Sequence, residues 1–222
     1  MEASPLAPEI LFRMGPVPIS RAVVTTWAIM ALLAGVLGVA LRRPSRDAGP
    51  VQAALEILVV TMVRQLREVL GRDPWPFLPL IGSLFVFLTL ANFAAVVPGA
   101  TPPTGHIETP AALALVVFLS VHYYGVKARG GGRYLRHYLD PNPLLLPLNI
   151  LSELTRTFSL MVRLFGNMMS HEFVIAIVVF LAGLFVPIPF LLLGLLIGLI
   201  QAYIFTVLAA VYIAAAVSGA ES

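Results

Sequence analysis

The 222-residue chain is 59% hydrophobic and 11% charged, with a mean hydropathy of +0.94. Soluble domains carry about 45–50% apolar and about 25% charged residues, so this composition belongs to a protein that lives in a bilayer. There is no cysteine, which excludes disulfides, thiol nucleophiles and cysteine-bound zinc or iron–sulfur clusters. The net charge of +3 comes from basic side chains at the edges of apolar runs. There it marks topology, and no nucleic-acid partner is expected.

The first apolar run, 22–41, has about the 20 residues a helix needs to cross a membrane, and Arg42, Arg43 and Arg46 close it. Ahead of it, 1–20 contains Glu2, Glu9 and several prolines. It lacks the basic start of a signal peptide, so the first span is expected to be retained. Between 51 and 70, apolar residues recur at helical spacing but Gln52, Glu56, Arg64, Arg67 and Glu68 interrupt them. That pattern predicts an amphipathic helix lying along the membrane or packed on other spans. Asp73-Pro74-Trp75-Pro76 ends it, with Trp75 placed as an interface anchor.

A second span covers 77–97 and contains one interior amide, Asn92; a third covers 111–126. The connector between them, 98–110, holds no Lys or Arg, whereas Lys127, Arg129, Arg133 and Arg136 follow the third span. From 144 to 186 only Pro147 breaks the helical pattern, although Glu153, Arg156, Arg163 and Glu172 punctuate it. One helix of that length is roughly 60 Å long, twice the roughly 30 Å hydrocarbon core. The preferred expectation is a long, strongly tilted helix joined through Pro187-Ile188-Pro189 to a second one over 190–217. A break at Gly166-Asn167 is the alternative.

These elements predict an all-α, polytopic integral membrane protein with about five membrane helices plus the amphipathic one. A single domain is expected, organised as 1–75, 76–143 and a C-terminal tilted hairpin over 144–222. Six arginines lie between the first two spans and four basic residues follow the third. By the positive-inside rule both segments are cytoplasmic, which puts the N-terminus outside and the C-terminus inside.

Charges within the long helix carry the functional signal. An arginine at the centre of a membrane helix costs at least about 2.5–3.5 kcal/mol. Relative to Arg163, residues 156, 159, 167 and 170 fall within about 40° on a helical wheel. Arg156, Ser159, Arg163, Asn167 and Ser170 therefore form one polar stripe. Glu172 lies about 180° away and about 13 Å further on, so it cannot neutralise Arg163 within the helix. The counter-charge is expected from another chain.

On the last helix Gly194, Gly198 and Gln201 share a face, with small residues for close approach and an amide at bilayer depth. Structural readings stand beside these. Arg163 can bind backbone carbonyls, Gln201 and Asn92 can tie helices together, and Glu153 with Arg156 fits an i,i+3 pair. His122 and His171 lie too near the interfaces for haem ligation. Nothing points to a metal or a nucleotide site, and no cofactor is expected.

Arg163-Leu164-Phe165-Gly166-Asn167-Met168, with Glu172 after it, closely resembles the signature of subunit a of F-type ATP synthases. Pro187-Ile188-Pro189 and the run from Gln201 to Leu208 resemble that family's final hairpin. Thr101-Pro102-Pro103-Thr104 and Pro147-Leu148-Asn149-Ile150 also look like family elements; the likeness runs from about Phe77 to Tyr212. The resemblance implies a non-catalytic subunit that passes protons or sodium through two half-channels beside a ring of c subunits. Peripheral-stalk b subunits, other ATP synthase subunits and lipid would be its partners, in a bacterial inner membrane.

By the same resemblance Arg163 is the essential arginine facing the ring's carboxylate, and Gln201 is the glutamine beside it. Glu172 is the acid of the outer half-channel, and Asn167 belongs to the signature. Many relatives place a small residue at the position of His171 and a histidine or acid at that of Gly194. His171 is therefore expected to fill the outer half-channel volume and to titrate with Glu172. Asn149, Ser152, Glu153 and Asn92 are further half-channel candidates. An ion-coupled secondary transporter is the runner-up, opposed by the lack of an internal repeat and of paired broken helices.

Overall fold

The structure is a computed structural model that describes residues 10–14, 17–42, 50–97, 102–132, 134, 146–183 and 185–218. The expected basic residues Arg43, Arg46, Arg133 and Arg136, and Thr101 of the connector, lie outside the described residues.

The chain is an all-α membrane protein with one small addition, an antiparallel hairpin of β1 (Ile10–Met14) and β2 (Val17–Ser20). Ile10, Phe12, Val17 and Ile19 are of residue types that favour extended backbone. Then follow α1 (Arg21–Arg42), α2 (Pro50–Leu70), α3 (Leu78–Phe93), α4 (Glu108–Arg129), α5 (Leu146–Ala182) and α6 (Pro187–Ser218). Short 3-10 turns, Ala94–Val96 and Pro103–Gly105, lie between α3 and α4. Among the described residues, four helices are long and apolar enough to cross a bilayer: α3 extended to Val96, α4, α5 and α6. Of the expected first span, α1 keeps the helix, and its described apolar part is Arg21–Gly35.

Two expectations about the hairpin need correction. Helix α5 ends at Ala182, four residues before the expected limit, because Gly183 turns left-handed at φ +76° and its N–H bonds the Val179 carbonyl at 3.1 Å. Glycine takes that conformation without a Cβ clash, so it stops helices. The second correction concerns Pro187-Ile188-Pro189, which is the first turn of α6 rather than a loop. Proline fits there because the first amides of a helix have no intrahelical partner. No break occurs at Gly166-Asn167, and α5 runs unbroken for 37 residues. At about 1.5 Å per residue it is about 55 Å long, so it can lie within a bilayer core only when strongly tilted.

Burial follows the helical period. The α3 helix buries Ile81, Leu84, Leu88 and Ala91, and α4 buries Ala114, Val117 and Val121. Helix α6 is the hub, packing on α2, α3, α4 and α5, and it buries Ala202, Phe205, Ala209 and Ile213. The amphipathic α2 seats Leu66 and Leu70 in this core. Helix α5 is different. It buries only Leu160, Leu164 and Met168, one residue per turn, and leaves most of its circumference uncovered.

Candidate functional site

The polar stripe predicted on α5 is the exposed one. Arg156, Ser159, Arg163, Asn167 and Ser170 are all exposed, while Leu160, Leu164 and Met168 beside them are buried. Burial of that apolar seam against α4 and α6 turns the polar seam outward. Arg163 has no acidic side chain within ion-pair distance and no hydrogen bond among the described residues. The guanidinium is thus held on a helix face without a counter-charge among the described residues.

One turn along, Asn167 reaches across the hairpin. Its Nδ2 donates to Oε1 of Gln201 at 2.7 Å. Gln201, the glutamine that the resemblance sets beside the arginine, uses its side-chain oxygen to accept from Asn167. Gln201 is buried, and its Nε2 finds no acceptor among the described residues. A void of about 10 Å³ adjoins it, lined by Asn92, Asn167, His171, Gly194 and Gln201 among others. That is about the volume that one water centre requires.

The glycines of α6 serve close approach. A Cβ on Gly194 would fall inside the His171 imidazole, and one on Gly198 would come within 2.8 Å of the Asn92 Cβ. Asn92 uses the proximity: its Nδ2 donates to the Gly198 carbonyl at 2.8 Å, and its Oδ1 accepts from Thr104 at 2.8 Å. Asn92 and Thr104 are both buried, so this candidate ties α3, α6 and the 3-10 turn together. Glu172 faces the same turn; a Cβ on Gly105 would stand 2.6 Å from its Oε1. His171 and Glu172 therefore lie at one end of α5, where they meet α6 and the turn respectively.

Asn149, Ser152 and Glu153 lie near the other end, and all three line a cavity of about 350 Å³ together with Arg129, Tyr134, Arg156 and Tyr212. Glu153 and Arg156 have separate partners. Glu153 lies 3.7 Å from His122 of α4, and Arg156 sits over the Tyr212 ring at 5.7 Å. Two residues of this region escaped the sequence analysis. Arg129, expected in a basic loop, is buried and donates from its guanidinium to the Ala215 carbonyl in the last turn of α6 at 3.3 Å. A cation there satisfies an orphaned helix-end acceptor. His122 is the other, because no spacing rule pairs residues 122 and 153. Among the described residues no group of three metal-ligating side chains occurs.

Comparison with known proteins decides the family. The model of the ATP synthase A chain matches residues 23–214. The chain belongs to the ATP synthase A chain family. It is 58% identical over 217 residues to a protein of Bradyrhizobium sp. named ATP synthase subunit a 2, covering 98% of this chain and 97% of that one. A protein of Pelobacter propionicus with the same name is 44% identical, covering 96% and 94% of the two chains. ATP synthase subunit a of Nitrosospira multiformis is 46% identical, covering 94% and 84%. As an A chain, this protein is an integral membrane subunit, consistent with its apolar helices. The matched residues include both helices of the hairpin almost in full, with Arg163, Asn167, His171, Glu172 and Gln201 inside them.

Proposed function

We propose that this chain is the ion-translocating stator of a rotary ATP synthase, carrying protons or sodium between two half-channels past a ring of c subunits. The observation that carries this reading is Arg163: exposed on the uncovered face of α5 and without an acidic partner among the described residues. A charge placed so at membrane depth calls for an acid from a neighbouring protein. A carboxylate on a passing ring subunit meets that need. The fixed guanidinium keeps that carboxylate ionised while it passes, and it bars a direct leak between the half-channels. Arginine suits the task because it stays charged.

Half-channel roles follow from position. Glu172 and His171, against the 3-10 turn and Gly194, serve the outer half-channel; Asn149, Ser152 and Glu153 line the inner one at the cavity near Arg129. Asn167 and Gln201, bonded to each other, brace the helices on either side of the arginine. Asn92 supports that packing from α3. The positive-inside count puts the N-terminus outside and the C-terminus in the cytoplasm of a bacterial inner membrane. ATP chemistry belongs to other subunits, peripheral-stalk b subunits hold the stator, and the whole chain acts as one membrane domain.

ATP-driven ion transport by the complete complex in sealed vesicles tests this. Arg163→Ala is expected to abolish coupled transport, with and without sodium present. Transport at the parental rate would remove the stator reading.

A further inference from the structure

His171 and Glu172 of α5 each rest on a glycine, but the two seats differ in what would give way. A Cβ on Gly194 would fall inside the rigid imidazole of His171, between two helices. A Cβ on Gly105 would stand 2.6 Å from Oε1 of Glu172 and 3.1 Å from both its Cδ and its Oε2. Those three atoms are the entire carboxyl group, which is therefore seated on the bare Cα of Gly105. Non-bonded carbon atoms settle at about 3.5–4.0 Å, so a methyl group and the carboxyl cannot share this volume.

The turn beneath the carboxyl is fixed. Pro102, Pro103 and Thr104 are buried, and the Thr104 hydroxyl donates to Oδ1 of Asn92 at 2.8 Å. The Gly105 N–H donates to the Pro102 carbonyl at 3.1 Å. Glu172, by contrast, is exposed away from the turn and can change rotamer. Crowding at 105 would thus move the carboxyl and leave the backbone in place. Nor does the turn itself need glycine. Among the described glycines only Gly71, Gly130 and Gly183 have positive φ, so position 105 has a backbone that alanine also adopts. What Gly105 supplies is room.

We propose that Gly105 is a positioning residue for ion transport: by lacking a Cβ it lets the Glu172 carboxyl lie against the 3-10 turn, and so fixes where the outer half-channel presents its acid. It acts through Glu172 and touches no ion itself. A side chain at 105 pushes the acid out of its seat without unfolding anything. This rests on Glu172 serving the outer half-channel.

ATP-driven ion transport by the complete complex in sealed vesicles, read beside its thermal dissociation, tests the seat. Gly105→Ala is expected to slow transport about fivefold or more, since a misplacement of about 1 Å can cost about 100-fold at a positioned site. Its dissociation midpoint should stay within about 2 °C of the parental value. Shortening the acid by one methylene, about 1.5 Å, withdraws it from the crowded volume. In a Glu172→Asp background the same Gly105→Ala change is therefore expected to cost less than about twofold, a failure of additivity that marks direct contact. A parental rate in Gly105→Ala, equal losses in both backgrounds, or a loss that tracks a falling midpoint overturns the proposal. A map of the Gly105→Ala complex gives a readout that needs no transport: the carboxyl should be displaced with the backbone of 102–106 in place. A shifted turn with the carboxyl still seated overturns the proposal. Glu172→Ala separates the two claims. Transport at the parental rate there removes the outer half-channel reading and this proposal with it, whereas its loss leaves that reading standing and the Gly105 results decide the seat alone.

Discussion

His171 and Gly194 share one volume between α5 and α6: the imidazole occupies the space where any Cβ at 194 would project. The two positions are therefore coupled, and their substitutions should not add. Gly194→Ala alone is expected to destabilise the complex by about 1–3 kcal/mol, the usual cost of overpacking. His171→Ala alone leaves a hole, and the double variant should recover most of the loss. Thermal dissociation of the purified complex measures all three, and strict additivity would contradict the shared volume. Function supplies a separate check. His171→Ala is expected to change how coupled ion flow depends on outer pH, and an unchanged profile removes His171 from the ion path. From sequence the bulky ring across the hairpin was legible, as an expectation drawn from family likeness. The bond from Asn167 to Gln201 was not, because a helical wheel orders residues on one helix and says nothing of which side chain takes a partner on the next.

Helices were legible where the period was clean. Runs such as Ile81, Leu84, Leu88 and Ala91 declare both the element and its buried face. Boundaries were harder, since hydropathy runs through 183–189 while backbone chemistry at Gly183 and Pro187 sets the ends. The N-terminal strands escaped because a short paired segment has little periodicity to show. Asn92 joins three elements, and its replacement should be felt at that scale. Asn92→Leu leaves the Thr104 hydroxyl without its acceptor and the Gly198 carbonyl without its side-chain donor. Membrane hydrogen bonds average only about 0.6 kcal/mol, but an orphaned buried group costs about 1–3 kcal/mol. The orphaned groups should dominate, giving a loss of about 1–3 kcal/mol in the same thermal assay. Stability within a few tenths of the parental value would show that α3 and α6 do not depend on this tie.

At the scale of the molecule, the described residues pack unevenly. Four elements crowd around α6, whereas α5 stays open along most of its length and displays charge and amide on the open side. The all-α membrane fold, the long apolar helices and the unpaired guanidinium on α5 were readable from residues alone, because each is a statement about one helix at a time. The pair of His122 and Glu153 and the buried Arg129 were hidden, since they depend on which helices touch. A chain without native cysteine allows the open face to be mapped directly. Single cysteines at Ser159 and Ser170, on the stripe, and at Leu160 and Leu164, on the buried seam, would be cross-linked in the assembled complex with cysteines on the ring subunit. A stripe that faces the ring predicts cross-links at 159 and 170 and none at 160 and 164. Cross-links confined to the buried seam, or none at any position on the stripe, would contradict a rotor bearing on Arg163.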